Sequence, residues 1–278
     1  MINKKAIFCI PVKNEASNLK NLFKVLKKLS LIFKDHYYIF VESDSTDGSY
    51  NLIKKFLSSR KGIIIKKRLK KINNRVIRLA ICRNTYLKQI KNNRTLKKFD
   101  YLIPLDCGNV NNLIDANTFE SIVKKNSKYI AIFPTQAILY YDIWTLRIKN
   151  LIEFDCYKEI KNYYLKIDNN IRKKFFDLIG KFLFINFFIK KNKIQVISAF
   201  GGIGIYKLQK VINFKYDSNN GLNCEHVQFN LQIYKKYGNK LIIDKNFMNS
   251  YGLNIHTFNT LICCISNFFS RRFIKKIL

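Results

Sequence analysis

Residues 41–49 read Val41-Glu-Ser-Asp-Ser-Thr-Asp-Gly-Ser49. An apolar, β-rich run ends abruptly here in acidic and hydroxyl side chains, followed by a glycine. The side-chain oxygens of Glu42, Ser45 and Asp47 can accept hydrogen bonds from a nucleobase and a ribose. The same residue types also begin helices, because Ser45, Thr46 or Asp47 can cap a first helical turn. The stretch therefore predicts a strand end, a helix start and a nucleotide contact.

Short apolar runs alternate with helical patterns around this stretch, which predicts an α/β fold with a mainly parallel central sheet flanked by helices. In the first half, the predicted strands are Ala6–Val12, Tyr37–Val41, Ile63–Ile65, Tyr101–Leu105 and Tyr129–Pro134, and the predicted helices are 19–29, Tyr50–Leu57 and Val76–Ile90. Later patterns predict a strand at Gln195–Phe200 that glycine interrupts before Ile205–Lys207, a helix at Cys224–Tyr237 and a strand at Leu241–Phe247.

The first predicted strand ends in Ile10-Pro-Val-Lys-Asn-Glu15. Ligands of open α/β sheets bind in the crevice beyond the carboxyl ends of the strands, so Pro11, Asn14 and Glu15 stand where a nucleotide would be met. A turn followed by an ordinary helix start explains the same residues. No glycine-rich loop follows this strand, which argues against a dinucleotide-binding dehydrogenase.

These two stretches, with a third, resemble the family-2-like glycosyltransferases of the GT-A fold. In that family the first strand ends near Pro-x-x-Asn-Glu and the second in Asp/Glu-x-x-Ser-x-Asp-Gly-Ser/Thr. The family's arginine–asparagine helix, which faces the donor, resembles Arg78-Leu-Ala-Ile-Cys-Arg-Asn84. The resemblance implies nucleotide-sugar contacts by Arg78, Arg83 and Asn84, and the planar fork of arginine suits a diphosphate. Solvated arginines on a helix surface are the alternative.

The family carries an Asp-x-Asp pair where this chain reads Tyr101-Leu-Ile-Pro-Leu-Asp-Cys-Gly-Asn-Val-Asn111. That pair holds a divalent cation against the leaving nucleoside diphosphate, so the resemblance implies Mg²⁺ or Mn²⁺ bound by Asp106. The second acid is missing, because Gly108 occupies its place. Asp106 can instead bind the ribose, or only form a turn.

Two later stretches resemble a subset of the family that is linked to capsule and surface-glycan assembly, including capsule-associated mannosyltransferases. They are Tyr140-Tyr-Asp-Ile-Trp-Thr-Leu-Arg147 and Ser198-Ala-Phe-Gly-Gly-Ile-Gly-Ile-Tyr206. Asp142 and Arg147 in the first are candidate ligand contacts. In the second, Gly201 and Gly202 allow close approach of a donor sugar, although a glycine bulge explains them equally well.

A predicted helix begins at Cys224-Glu-His-Val-Gln-Phe-Asn230, where the family often places Glu-Asp with one acid as the catalytic base. An inverting transfer needs a group that removes the proton of the acceptor hydroxyl, and Glu225 or His226 can do this. His226 can instead be a metal ligand that compensates for the acid lost at Gly108, together with Asp106. A histidine at the surface of a helix start is the alternative.

The net charge is +33, from 51 Lys+Arg against 18 Asp+Glu. Such a charge attracts phosphorylated ligands, anionic lipid or nucleic acid, but a genome rich in A and T produces the same excess of lysine. A nucleic-acid-binding protein gathers basic and aromatic side chains on one surface, whereas these lysines are scattered through every segment. We therefore expect no nucleic-acid partner.

Seven cysteines form no C-x-x-C pair, and several lie in apolar runs, which indicates a reducing compartment. The N-terminus leads straight into the first strand without the features of a signal peptide, so we expect a cytoplasmic chain. Polar residues interrupt both Phe175–Ile189 and Thr257–Phe269, and neither reaches the length of a membrane span. Burial in the core and an in-plane helix on an anionic membrane both fit these two segments.

Together these patterns predict a glycosyltransferase domain at 1–250, with a nucleotide-binding half at 1–115, an acceptor-binding half at 116–250, and a basic, aromatic tail at 251–278 at the inner membrane face. The predicted reaction moves a sugar from a nucleoside-diphosphate sugar to a surface-glycan or lipid-linked acceptor, with inversion. A catalytically inactive relative that serves as a binding subunit is the second hypothesis, suggested by Gly108. A basic nucleic-acid-binding protein is the third.

Overall fold

The computed structural model describes residues 1–155 and 193–252, which form one eight-stranded sheet with helices on both faces. The strand order is β3-β2-β1-β4-β7-β5-β8-β6. The strands are β1 (Ile2–Val12), β2 (Phe33–Ser43), β3 (Gly62–Lys67), β4 (Tyr101–Pro104), β5 (Ala131–Gln136), β6 (Ile194–Gln195), β7 (Ile205–Lys207) and β8 (Leu241–Ser250). The expected α/β architecture is confirmed.

The sheet is parallel in its N-terminal half and mixed beyond it. Strands β3, β2, β1 and β4 run parallel, because each is followed by a helix that returns the chain to the same end of the sheet. Strand β7 pairs antiparallel with both β4 and β5, and β8 pairs parallel with β5. Four of the seven pairings are therefore parallel, and β7 joins the two halves.

Six helices are described: α1 (Ala16–Ser30), α2 (Ser49–Leu57), α3 (Arg75–Asn92), α4 (Ala116–Lys125), α5 (Leu208–Val211) and α6 (Glu225–Tyr237). Helix α3 begins at a strong cap, since the side chain of Asn74 accepts from two backbone N–H groups of the first turn. Helix α2 starts later than the sequence indicates. Its cap residue is Gly48, with a left-handed φ of 85°, rather than Ser45, Thr46 or Asp47.

The core lies on both faces of the sheet, because the inner strands are buried on two sides. One face packs under α3 and α6 around Phe133, Tyr206 and Phe229, and the other packs under α1, α2 and α4 around Phe8 and Phe40. The cysteines of the described ranges are buried free thiols: Cys9, Cys82, Cys107 and Cys224. They act as small hydrophobic side chains, as expected.

The strand predicted at Gln195–Phe200 is wrong beyond its first residue. Only Ile194–Gln195 pairs with β8, and the chain then leaves the sheet so that Ser198 bridges to Arg147. Gly201 and Gly202 follow with positive φ, which breaks the extended conformation. In residues 1–155 and 193–252 no helix is long and apolar enough to cross a membrane. The segments Phe175–Ile189 and Thr257–Phe269, and nearly all of the tail, lie outside the described residues.

Candidate active site

The loops that follow β1 and β2 are joined by side-chain hydrogen bonds at the carboxyl edge of the sheet. Asn14 adopts a left-handed φ of 52°, its backbone N–H donates to Ser45 Oγ (3.0 Å), and its Oδ1 accepts from the N–H of Thr46 (2.8 Å). The carboxylate of Asp47 accepts from the N–H of Ala16 (2.9 Å). Asn14, Ser45 and Asp47 thus fix the rim of the predicted nucleotide site, and their contact with a ligand stays a prediction.

The side chain of Glu42 and the backbone of Glu15 hold the base of this rim. Glu42 is 6% exposed and its Oε1 accepts from the N–H of Ser45 at 2.6 Å. The N–H of Glu15 donates to Ser49 Oγ (2.9 Å), and burial raises the pKa of the Glu15 carboxyl, although its hydrogen bond from Asn18 opposes this. The carboxylate of Asp106 also raises the pKa of Glu15. The ends of β1, β2 and β4 therefore meet at one edge, as the sequence predicts.

A cleft of about 500 Å³ lies beside Glu42, between the loop after β2 and the segment after β3. Its walls combine acceptor oxygens with an array of cations. The lining residues are Glu42, Asp44, Ser45, Thr46, Gly48, Tyr50, Asn51, Lys66, Lys67, Arg68 and Lys70. The Lys66 ammonium stands 3.7 Å from the centre of the Tyr50 ring. Sequence reasoning missed these cations; their signal was a basic run directly after the predicted strand Ile63–Ile65.

Arg83 lies at the centre of the site but does not face solvent. Its side chain is 1% exposed, its Nε donates to Glu225 Oε1 (3.0 Å), and its Nη2 donates to Asp106 Oδ1 (2.8 Å). The guanidinium also stands 5.0 Å from the centre of the Phe200 ring. The prediction that Arg83 contacts the donor diphosphate is therefore corrected: the arginine joins α3, the end of β4 and the start of α6.

The same pairing changes the role of Glu225. Its carboxylate is 3% exposed and bound to Arg83, so an acceptor hydroxyl does not reach it in this conformation. Burial alone lowers the pKa of Arg83, but the carboxylates of Asp106 and Glu225 outweigh it and the pKa is raised, so the guanidinium remains charged. Glu225 balances this buried charge and is poorly placed to act as the base that the sequence suggested.

His226 is buried rather than exposed at a helix start. Its ring stacks on Phe200, with centroids 3.6 Å apart, and meets the ring of Tyr216 edge-on. Burial, aided by the charge of Arg83, lowers its pKa well below the usual value. Although Nε2 lies 3.7 Å from Glu225 Oε1, the ring is therefore neutral and forms no ion pair. The geometry gives His226 a packing role and excludes it from acceptor contact in this conformation.

The neutral His226 predicts a specific pH dependence of stability. In the unfolded chain it takes up a proton below about pH 6.5, whereas the folded state does not, so its contribution to stability is lost as the pH falls. We expect His226→Phe to remove about 1 kcal/mol of the decline in unfolding free energy between pH 7 and pH 5.5. Urea unfolding of both proteins at both pH values measures this difference. His36, whose pKa burial also lowers, remains in both proteins and cancels; an unchanged decline contradicts a neutral, buried His226.

The turn at Gly201 and Gly202 is fixed by four hydrogen bonds from different parts of the chain. The N–H of Gly201 donates to Asp142 Oδ2 (2.8 Å), and its carbonyl accepts from Asn249 Nδ2 (2.6 Å). The carbonyl of Gly202 accepts from the N–H of Asp106 (2.9 Å) and from Asn111 Nδ2 (3.1 Å). The turn therefore connects Asp142 with Asp106 through two residues of backbone.

An amide network, which the sequence did not reveal, supports the turn from below. Gln136 Nε2 donates to Asn249 Oδ1 (2.9 Å), and Asn249 Nδ2 donates to Asn111 Oδ1 (2.9 Å). All three side chains are buried. Because buried amides are costly unless they are paired, their joint presence beneath the turn indicates that its position is tightly specified.

Two of the three remaining predicted contacts have structural partners. Pro11 is buried, and its carbonyl accepts from Cys107 Sγ. Asn84 exchanges two hydrogen bonds with the backbone of Tyr216, so it anchors the segment before α6. Arg78 is half-buried on α3. Asn84 is half-buried as well, but its side chain is already bound to the backbone of Tyr216.

The residues do not form a metal site of their own. Within the described ranges, no group of three or more His, Cys, Asp or Glu side chains could hold an ion. His226 is stacked beneath Phe200, and the side chain of Asp106 is 36% exposed and paired with Arg83. The predicted ligand pair of Asp106 and His226 is therefore not assembled, and Asp106 is the predicted ligand with an exposed carboxylate.

Solved structures share this fold. The mannosyltransferase PcManGT from Pyrobaculum calidifontis, in complex with GDP-Man and Mn²⁺, has a TM-score of 0.55 at 10% identity, over 100% of this chain and 65% of its own. S. aureus TarS 1–349 has a TM-score of 0.51 in complex with UDP, at 11% identity, over 88% of this chain and 59% of its own. In complex with UDP-GlcNAc, S. aureus TarS 1–349 has a TM-score of 0.50 at 11% identity, over 91% of this chain and 60% of its own.

This chain thus spans about three fifths of the length of those proteins. No protein-family model and no curated protein matches its sequence. At 10–11% identity the likeness concerns the fold, and the fold is that of the GT-A glycosyltransferases.

Proposed function

We propose that this chain, which has the GT-A fold, is a glycosyltransferase that moves a sugar from a nucleoside-diphosphate sugar to a hydroxyl acceptor. One observation carries the proposal: residues far apart in sequence, Asp106, Arg83 and Glu225, meet at the carboxyl edge of the parallel strands. The cleft lined with acceptors and cations lies at the same edge, after β2 and β3. A sugar nucleotide combines a hydrogen-bonding base and ribose with a diphosphate, and this edge presents partners for each.

The nucleotide belongs in the cleft after β2 and β3. Glu42 and Asp44 offer carboxylate oxygens to the base or ribose, and Lys66, Lys67 and Arg68 offer the positive charge that a diphosphate requires. Asp44 already holds the N–H of Leu69 at 2.6 Å, so the basic segment is fixed against the acidic loop. This arrangement predicts binding of the nucleotide before the sugar is positioned.

The sugar belongs beside the exposed carboxylate of Asp106, whose oxygens can accept hydrogen bonds from sugar hydroxyls. The turn at Gly201 and Gly202 is bonded to Asp106 and is the proposed border of this position. The complexes of the structural neighbours with UDP, UDP-GlcNAc and GDP-Man suggest the identity of the nucleotide. A Mg²⁺ or Mn²⁺ ion held jointly by Asp106 and the donor diphosphate stays part of the proposal, and such an ion would neutralise charge on the leaving group.

The acceptor and the location of the protein in the cell are part of the same proposal. A surface glycan or its lipid-linked precursor fits the resemblance of residues 140–147 and 198–206 to capsule-associated enzymes. Contact with the inner membrane face would bring the chain to such a precursor. Inversion at the anomeric carbon, and the division of 1–250 into halves at residue 115, complete the proposed scheme.

The proposal predicts donor binding that depends on Asp106. We expect UDP- or GDP-sugars to raise the melting temperature of the wild type by a few degrees, and Asp106→Asn to weaken donor binding by about tenfold or more, because one charge-assisted contact contributes about 1.5–3 kcal/mol. Thermal shift against UDP-glucose, UDP-GlcNAc and GDP-mannose, each with and without Mn²⁺, measures this. Asp115→Asn, at the exposed cap of α4, is the matched control.

Three outcomes are distinguishable. Full donor affinity in Asp106→Asn would refute the placement of the sugar. Absence of binding by every donor would refute the proposed function. Binding of a donor without any transfer or hydrolysis would favour the inactive binding subunit that Gly108 suggested.

A further inference from the structure

The acidic side chains around Arg83 are not equivalent. Glu225 and Asp106 both pair with the guanidinium. Asp142 forms no ion pair with any residue of 1–155 or 193–252, and its side chain is half-buried. An unpaired carboxylate beside two paired ones needs an explanation, because a carboxylate in a partly apolar site is costly unless it has a use or a partner.

Asp142 stands across the glycine turn from Asp106. Its Oδ2 accepts from the N–H of Gly201 at 2.8 Å, and the next carbonyl, of Gly202, accepts from the N–H of Asp106 at 2.9 Å. This contact occupies one of the two carboxylate oxygens and leaves the other without a hydrogen bond from the described backbone. The hydroxyl of Thr145 fixes the loop from behind by donating to the Asp142 carbonyl (3.0 Å).

The surroundings of Asp142 favour proton uptake near neutral pH. Burial raises the pKa of Asp142 to about 6, and the carboxylates of Asp106 and Glu225 also raise it. Hydrogen bonds from the N–H of Gly201 and the hydroxyl of Thr145 act in the opposite direction. The titratable groups that face Asp142 are these two carboxylates, the hydroxyls of Tyr140 and Tyr141, and the thiol of Cys224. A base works best when its pKa lies close to the working pH.

We propose that Asp142 is the general base of the transfer, in place of the Glu-Asp acid that the family resemblance assigned to 225–226. The inference rests on the proposed function. As the acceptor hydroxyl oxygen bonds to the anomeric carbon, the bond from that carbon to the diphosphate oxygen breaks, and its electron pair leaves with the nucleoside diphosphate. The hydroxyl proton moves to a carboxylate oxygen of Asp142.

The geometry separates this role from that of a loop anchor. Asp142→Asn keeps an oxygen that can accept from the N–H of Gly201, so the loop is retained, while the ability to take a proton is lost. With water as the acceptor, hydrolysis of UDP-glucose, UDP-GlcNAc or GDP-mannose reports the same step. We expect Asp142→Asn to lower the hydrolysis rate by about 10²- to 10⁴-fold, with the donor Kd unchanged within about twofold.

The pH profile is the readout that a structural role would not move. Wild-type hydrolysis should rise through about pH 6 and then level off, because the base acts only when deprotonated. The residual rate of Asp142→Asn should lack this step. Asp115→Asn should match the wild type in rate and profile. Thr145→Val should keep the step but move it above about pH 6, because it removes the hydroxyl that lowers the pKa of Asp142.

Each outcome decides. Hydrolysis by Asp142→Asn within about threefold of the wild type, with donor still bound, overturns the base and leaves the proposed function standing. Failure of the wild type to bind any donor overturns both. If the wild type binds a donor without hydrolysing it, the chain behaves as the inactive binding subunit, and the assignment of Asp142 as a base is overturned with it.

Discussion

Replacing Arg83 with methionine should destabilise the folded protein by about 3–5 kcal/mol, because it leaves a carboxylate buried without its cation. Glu225 is 3% exposed and its Oε1 accepts from Arg83 Nε at 3.0 Å. Once the guanidinium is removed, Glu225 must lose its charge or admit water into the core. Loss of the pair with Asp106 contributes less to the destabilisation, because the Asp106 carboxylate is 36% exposed and partly screened by solvent.

Urea unfolding of Arg83→Met, Glu225→Gln and the double variant measures this effect. The double variant should be more stable than the sum of the two single losses predicts, by about 1–3 kcal/mol, because the second change removes the charge that the first left unpaired. Arg78→Met, on the same helix but half-buried, is the matched control and should cost less than about 1 kcal/mol. Additive losses, or equal losses at both arginines, would contradict a buried ion pair at Arg83.

Replacing Gly202 with alanine should cost about 2–4 kcal/mol, from two separate sources. Its φ of 91° is a conformation that side chains rarely adopt. A Cβ atom there would also stand 2.5 Å from Val110 Cγ2 and 2.8 Å from the hydroxyl of Tyr141. Since valine is stiff at χ1, the loop after β4 must move to make room.

Comparison with Gly48→Ala isolates the part of the cost at Gly202 that comes from packing. Gly48 has a similar φ of 85°, but nothing lies within 4 Å of an added Cβ. It should therefore lose only the conformational part, about 1 kcal/mol. Melting curves and urea unfolding of the two variants give the difference, and equal losses would show that the turn at Gly201 and Gly202 is less tightly packed than its contacts indicate.

The sequence predicts the positions of most strands and helices, because the apolar periodicity there is strong. It predicts the joint edge of β1, β2 and β4 for the same reason, since parallel strands bring their carboxyl ends together. The strand at Gln195–Phe200 fails because periodicity cannot show where a chain leaves a sheet. The bridge from Ser198 to Arg147 and the positive φ of Gly201 decide this in three dimensions.

The sequence predicted which side chains converge better than it predicted what each of them does. Arg83, Asp106 and Glu225 do converge, but sequence types cannot reveal that Arg83 is enclosed and Glu225 bound to it. The same holds for His226, whose stacking partner Phe200 lies 26 positions away in the chain. Asn249 and Gln136 carried no local signal at all, because single amides in β-strands are recognised as a network only once the strands are paired.

Strand β7 has a consequence for how such a protein can evolve. Its three residues pair with both β4 and β5, so the last contact of the N-terminal half and the first of the C-terminal half share one strand. The two halves are therefore not interchangeable modules. Recombination near residue 115 would leave β4 with a bare edge, open to aggregation, unless the incoming partner brought its own equivalent of β7. Sequence changes that preserve this fold are therefore expected in its loops, while the sheet is inherited whole.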